Sequence, residues 1–193
     1  MLRSVFWGSV GLALAIAVVH GQSLSPTPAD LLKDPAVKAA LDAAKANEAQ
    51  TIADQIRFCE IPAPSFKEDV RGQELKRVFT QLGLENVRVD KVGNVLGEYA
   101  GAAAHPHLVL SAHLDTVFPE GTDVKVKREG ALLKGPGIGD DCRGLAVMTT
   151  IVREMKKANV KTPGSITFVA NVGEEGLGDL RGVKELFNTT LKG

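Results

Sequence analysis

At 193 residues the chain has the length of one domain. It carries 23 basic and 23 acidic side chains with no basic stripe, which argues against nucleic acid as a partner. With 44% apolar and 24% charged residues disorder is not the default, and the scarcity of aromatics, 5%, suits an α/β core better than an aromatic-rich β-sandwich.

In chain order, residues 1–21 have the layout of a secretory signal: Arg3, an apolar run from Val5 to Val19 broken only by Ser9, and small Gly21 before a cleavage point. The run of roughly 15 residues is short of the ~20 that span a bilayer. Export with cleavage, to a periplasmic or extracellular space, is therefore expected, and no stable membrane association after it. An uncleaved anchor is the alternative. Cleavage leaves 22 basic and 23 acidic side chains, a net of −1.

Residues 22–34 read as a linker, Ser/Pro/Thr-rich at first. Asp34 can cap a helix and Pro35 suits its first position. Val37, Ala40, Leu41, Ala44, Ile52, Ile56 and Cys59 recur at helical spacing, so one or two helices are predicted over 35–59. Pro62 and Pro64 stop them. A helix is predicted over about 67–82, closed by Gly83. Strands follow at 87–89, 92–99 and 107–113, the last read as buried. A hairpin with one wet face spans 124–133 around Glu129-Gly130. Asp140 and Asp141 open a helix through Met155, Ser165 to Val172 forms another buried strand, and Leu180 to Leu191 a last helix. Strands alternating with helices predict an α/β fold with parallel neighbours. Cys59 and Cys142 are too few for a disulfide framework and read as small buried side chains.

Ligand sites in open α/β sheets lie beyond the carboxyl ends of strands. His113 and Asp115 follow one apolar strand there, and Glu174-Glu175 follow another. Asp140-Asp141 sit at the glycine-rich helix entry Gly135-Pro136-Gly137-Ile138-Gly139. Singly, such residues are ordinarily structural: a hydrogen-bonded histidine, a cap, a solvated turn. Jointly, an imidazole and carboxylates suit zinc and similar divalent ions. Strand periodicity places His113 and Asp115 on one side, where Asp115 can take the second ring N–H. One aspartate between two cations can bridge them. Of two adjacent glutamates, one can ligate and the other serve as general base. His105 and His107 precede the strand; six residues at ~3.3 Å each put His107 roughly 20 Å from His113. A phosphate-binding role for the glycine-rich loop is disfavoured by the aspartates directly after it.

His113-Leu114-Asp115-Thr116-Val117, Gly135 to Gly144 with its Asp-Asp pair, and Gly173-Glu174-Glu175-Gly176 resemble, in order and spacing, the di-zinc exopeptidase and deacylase family. That family includes peptidase T, glutamate carboxypeptidase, aminoacylase and succinyl-diaminopimelate desuccinylase. The resemblance implies a zinc-exopeptidase-like mixed, mostly parallel sheet with flanking helices. It implies His113, Asp140 and Glu175 as metal ligands, with Asp140 bridging two zinc ions, cobalt or manganese being alternatives. Asp115 would support His113, and Glu174 would be the base. The implied activity is metal-dependent hydrolysis of an amide bond in a peptide or N-acyl amino acid; the alternative is a non-catalytic exported domain or truncated relic.

Two departures accompany it. Cys142-Arg143 stands where family members often carry Lys-Gly, so Cys142 is a conceivable substitute ligand. Such enzymes also use a later carboxylate, a histidine near the C-terminus and a lid or dimerisation domain; Asp179 lies too near Glu175 to be that carboxylate. Residues 35–193 are therefore expected to be the N-terminal part of a catalytic domain, with weak metal binding and little activity by themselves. Homodimers are expected only with the further domain.

Overall fold

A computed structural model describes residues 27–191, so the predicted signal and most of the segment to Pro28 lie outside the described residues. Within the range read as a linker, Thr27 and Asp30 form a reciprocal capping box over a short helix, α1 (Pro28–Leu31). Asp34 then caps α2 (Pro35–Ala46), its carboxylate accepting from the amides of Ala36 and Val37, and Asn47 separates it from α3 (Glu48–Cys59). The prolines after Cys59 hold an irregular segment up to α4 (Asp69–Gln81). No described helix is long and apolar enough to cross a membrane.

Four strands make the main sheet: β1 (Glu85–Val89), β2 (Val95–Tyr99), β3 (Leu108–His113) and, after the small hairpin, β6 (Ile166–Asn171). Their order is β1-β2-β6-β3. The mixed α/β sheet with flanking helices is as expected, but its balance of directions is not. Among the described strands only β3 and β6 run parallel, whereas β1–β2 and β2–β6 are antiparallel. The turn Asp90-Lys91-Val92-Gly93-Asn94 explains the first of these antiparallel pairs. The Asp90 carboxylate accepts from the amides of Val92, Gly93 and Asn94, which closes a hairpin that a helical crossover would have made parallel.

The strand predicted to be buried at 107–113 is also different. β3 pairs only with β6 among the described residues, and Leu108 and Ser111 are exposed. The hairpin β4 (Lys127–Glu129) and β5 (Leu132–Lys134) is shorter than predicted and mostly exposed on both faces. Beyond it α5 (Cys142–Lys157) packs on α2 and α3. The last predicted helix is two pieces, α6 (Arg181–Glu185) and a π-helical turn over Leu186–Thr190.

One sheet face buries Val95, Phe168 and Ala170 under α3, α4 and α5, with Phe58, Leu75, Phe79, Leu145 and Met148 filling the layer. The opposite face is thinner: Leu96 and Val169 meet Leu186. Alternation along β2 and β6 divides these sets between the faces. Parallel register pairs His113 with Asn171, so the segments after β3 and β6 leave the sheet side by side.

Candidate active site

The site begins at that shared rim. Leu114 donates its amide to the Asn171 carbonyl at 2.7 Å, which continues the β3–β6 pairing one residue past His113. Arg71, buried in α4, clamps the turn: its guanidinium donates to the carbonyls of Leu114 at 2.6 Å, Ile61 at 3.0 Å and Cys59 at 3.3 Å. Nothing in the sequence reading had marked this arginine. Its signal was its place on the apolar face of α4 with Leu75 and Val78, where an exposed charge would not sit.

His113 is held on three sides. Its main-chain amide donates to the Asp141 carboxylate at 3.0 Å, and Asp141 also caps α5 through the Gly144 amide at 2.9 Å. Ring Nδ1 lies 3.0 Å from the main-chain carbonyl of Asp115 and 3.6 Å from its carboxylate. Asp115 thus takes the second ring nitrogen chiefly through its carbonyl, not its side chain. Nε2 faces outward, 2.8 Å from Asp140 Oδ1 and 4.0 Å from Glu174 Oε2.

The Asp115 carboxylate, completely buried, has a different task. It accepts from the amides of Glu174 at 2.9 Å and Glu175 at 3.0 Å, and from the Ser65 hydroxyl at 2.9 Å. Three segments remote in sequence are tied to one anion. A second buried anion, Glu68, braces the same turn, taking the Gly173 amide at 3.1 Å and the Arg181 guanidinium at 2.8 Å. Gly173 adopts φ +59°, and a Cβ there would strike the Arg181 side chain. Sequence reasoning missed Ser65, Glu68 and Arg181, whose roles come from packing across 50 to 113 residues of chain.

His113, Glu174 and Glu175 offer ligand atoms that all lie within 4.8 Å of one another. Asp140 joins through its contact with Nε2, its side chain 78% exposed toward solvent. All five predicted site residues are therefore brought to one rim. The other candidates are not. His107 bonds the Thr167 hydroxyl at 2.8 Å near the start of β3, and Asp179 pairs with Lys184 at 2.7 Å. Cys59 and Cys142 are unbridged and wholly buried. Contact with Cys59, together with burial, pushes the Cys142 thiol well above its ordinary value, which disfavours the thiolate a metal ligand needs.

Electrostatics follow from crowding. Burial works against charge on His113, but hydrogen bonds to Asp115 and Asp140 and the charge of Asp141 outweigh it and push the imidazole up to about 9. Burial opposes ionisation of Asp115 too, yet the His113 contact and the two amides hold it well below the usual carboxylate range. Glu175 is raised, by burial and then by Asp140, Glu174 and Asp115 around it. An imidazole that faces several mutually repelling carboxylates is a donor set that fits a divalent cation.

Residues 109–193 match the model of Peptidase family M20/M25/M40. Over 111 residues the chain is 32% identical to carboxypeptidase G2 of Pseudomonas sp. (strain RS-16), covering 54% of this chain and 26% of that one. The aminopeptidase PepT of Bacillus cereus aligns with a TM-score of 0.59 at 25% identity, over 67% of this chain and 38% of its own. Human carnosine dipeptidase 1 shares the fold, with a TM-score of 0.62 at 16% identity over 83% of this chain and 38% of its own. The chain thus spans about a quarter of its curated relative and under two-fifths of these solved structures. Three motifs in register, the match over residues 109–193 and the shared fold agree in likening this part of the chain to Peptidase family M20/M25/M40.

Proposed function

We propose that these residues form part of a metal-dependent hydrolase site that cleaves an amide bond next to a free terminus in a peptide or N-acyl amino acid. One observation carries the reading: a single imidazole and two carboxylates converge within 4.8 Å at the rim of two parallel strands, with Asp140 against the same imidazole. His113, Glu175 and a bridging Asp140 would hold the metal, zinc first, with cobalt and manganese as alternatives. When bound, such ions polarise a carbonyl oxygen and make a water acidic enough to attack at neutral pH. Glu174, with 41% of its side chain exposed, accepts the proton of the attacking water. As the carbon–nitrogen bond breaks, it returns that proton to the departing amine. Asp115 positions both ends, fixing the ring through its carbonyl and the glutamate turn through its carboxylate.

A second ligand set has its own support, since Glu174 is itself one of the three mutually close groups. In that arrangement a single ion takes His113, Glu174 and Glu175, and no base is left over. Calorimetric zinc titration of E174Q separates the two. A free base leaves zinc affinity within about threefold while hydrolysis falls by ~10²–10⁴. A ligand loses at least tenfold in affinity. H113A should lose zinc in either case, and its undiminished binding would end the metal-site reading. Export directed by residues 1–21 is part of the same proposal, checked by sequencing the N-terminus of the protein recovered outside the cytoplasm.

A further inference from the structure

Beside the metal-ligand cluster lies a cleft of roughly 270 Å³ whose walls are the segments 64–66, 116–119 and 175–177. Its apolar contributors stand unusually open: Phe66 is 60% exposed, Val117 65%, Phe118 36% and Leu177 91%. Four large apolar side chains around one recess are more than scattered surface hydrophobics and mark a place where something apolar binds.

The recess is built. Pro64 and Thr116 pair as a short parallel bridge, and the Thr116 amide donates to the Ala63 carbonyl at 2.9 Å. The third wall is fastened to the first through Asp115, whose Oδ2 accepts from both the Ser65 hydroxyl and the Glu175 amide. The Arg181 guanidinium lies 4.7 Å from the centre of the Phe66 ring and holds it from behind. The anion that sets the glutamate turn therefore also sets the cleft, and Glu175 lines both.

Charge narrows the occupant further. Neither nearby cation lines the cleft, Lys67 pairing with Glu120 and Arg181 with Glu68, while Glu175 stands at the rim. An acidic side chain would meet that carboxylate with no counter-charge in the walls. From this continuity we infer that the cleft receives a bulky apolar side chain, phenylalanyl or leucyl, on the residue flanking the amide bond to be cleaved. The inference rests on the hydrolase reading for the word "cleaved", but the recess and its preference stand on geometry alone.

The test uses N-acetyl-phenylalanine, N-acetyl-alanine and N-acetyl-aspartate, each titrated with and without zinc while the methyl resonances of Val117 and Leu177 are followed. The phenylalanyl probe should bind at least ~10-fold more tightly than the alanyl one, the lower end of what an apolar pocket discriminates. The aspartyl probe should be weakest. In V117S/L177S, two exposed positions whose change leaves the core intact, the phenylalanyl preference should shrink to within twofold and zinc affinity should hold. Equal binding of all three probes, or a preference that survives V117S/L177S, overturns the proposal. A methyl response to the phenylalanyl probe in a protein whose zinc binding is undiminished by H113A supports the cleft and refutes the metal-site reading, so the two failures are distinct.

Discussion

Asp115 gives the sharpest test of how the site is held. In D115N one carboxylate oxygen becomes an amide nitrogen, a donor facing donors, because the side chain's buried partners are the Glu174 amide, the Glu175 amide and the Ser65 hydroxyl. Whichever way the amide turns, at least one main-chain N–H is left without an acceptor, and the others lose an ionic one. Hydrogen bonds to a buried charge are each worth about 1.5–3 kcal/mol, and stranding a donor adds a similar cost. Losing one bond outright and weakening a second amounts to about 3–5 kcal/mol. For a chain of this size that is a fall in Tm of roughly 6–20 °C. Thermal unfolding by circular dichroism reads it, with D140N as control. D140N makes the same chemical change 78% exposed to solvent and should cost under about 1 kcal/mol. A D115N protein melting within 2 °C of the parent, or a D140N protein melting as low as D115N, would refute the reasoning. Acid adds a check on sign. Because the Asp115 carboxyl is depressed in the folded state, its contribution is present above the unfolded value of about 3.9 and is lost as pH falls through the folded one. The gap between parent and D115N should therefore narrow below pH ~4.

Removing Glu68 strands the Arg181 guanidinium and the Gly173 amide together, so E68A should cost about 3–5 kcal/mol in denaturant unfolding. E68Q, which keeps an acceptor, should cost clearly less; equal losses would show that the charge and not the hydrogen bonding is at stake. R71M leaves the carbonyls of Cys59, Ile61 and Leu114 unserved and should lower Tm by 6 °C or more, on the order of 3 kcal/mol. R71K should not restore it, since one ammonium cannot span the fork. The His113 imidazole, raised to about 9, stabilises the metal-free protein below its unfolded value near 6.5, and this is lost as pH climbs through 9. Zinc must displace that proton, so zinc affinity should rise close to tenfold per pH unit across the same window; a flat profile between pH 6.5 and 8.5 would remove His113 from the ligand set.

Much of this arrangement was legible in the chain, for reasons that differ by element. Asp34-Pro35 and the prolines at 62 and 64 punctuate helices through local geometry alone, so α2, α3 and their end were readable. Strand-end residues His113 and Glu174-Glu175 were findable because β3 and β6 are apolar runs that stop where chemistry starts. Strand direction was not readable in the same way. β1 and β2 run antiparallel because of a turn organised by the Asp90 carboxylate, and Asn94 at the head of β2 is buried between the Val172 amide and the Gly182 carbonyl. Those partners come from the far end of the chain. The braces Glu68 and Arg181 escaped for the same reason: each looks like an ordinary surface charge until its remote partner arrives. Asp115 shows both limits at once. Its nearness to the ring was readable from strand period, but the carboxylate's occupation by three remote donors was not.

That hub suggests why the rim has the charge it does. His113 meets the carboxylates of Asp115, Asp140 and Glu174 within 4.0 Å, and Asp141 takes its main-chain amide. The guanidiniums nearby point elsewhere, Arg71 to carbonyls, Arg181 to Glu68 through one nitrogen and Arg143 to Gln55. Three groups answer in the same direction: His113, Asp141 and Glu175 all hold protons more tightly than usual. A rim built only for stability would have used one of those arginines to relieve the repulsion. Instead buried Arg71 fixes backbone behind the site, and the anions gather in front with one imidazole. Asp115 is the exception that makes the scheme work, because its charge is neutralised by amides and a hydroxyl and its task is to aim the others. The remaining carboxylates are left to share a positive charge from outside, either protons singly or a metal ion that satisfies several at once.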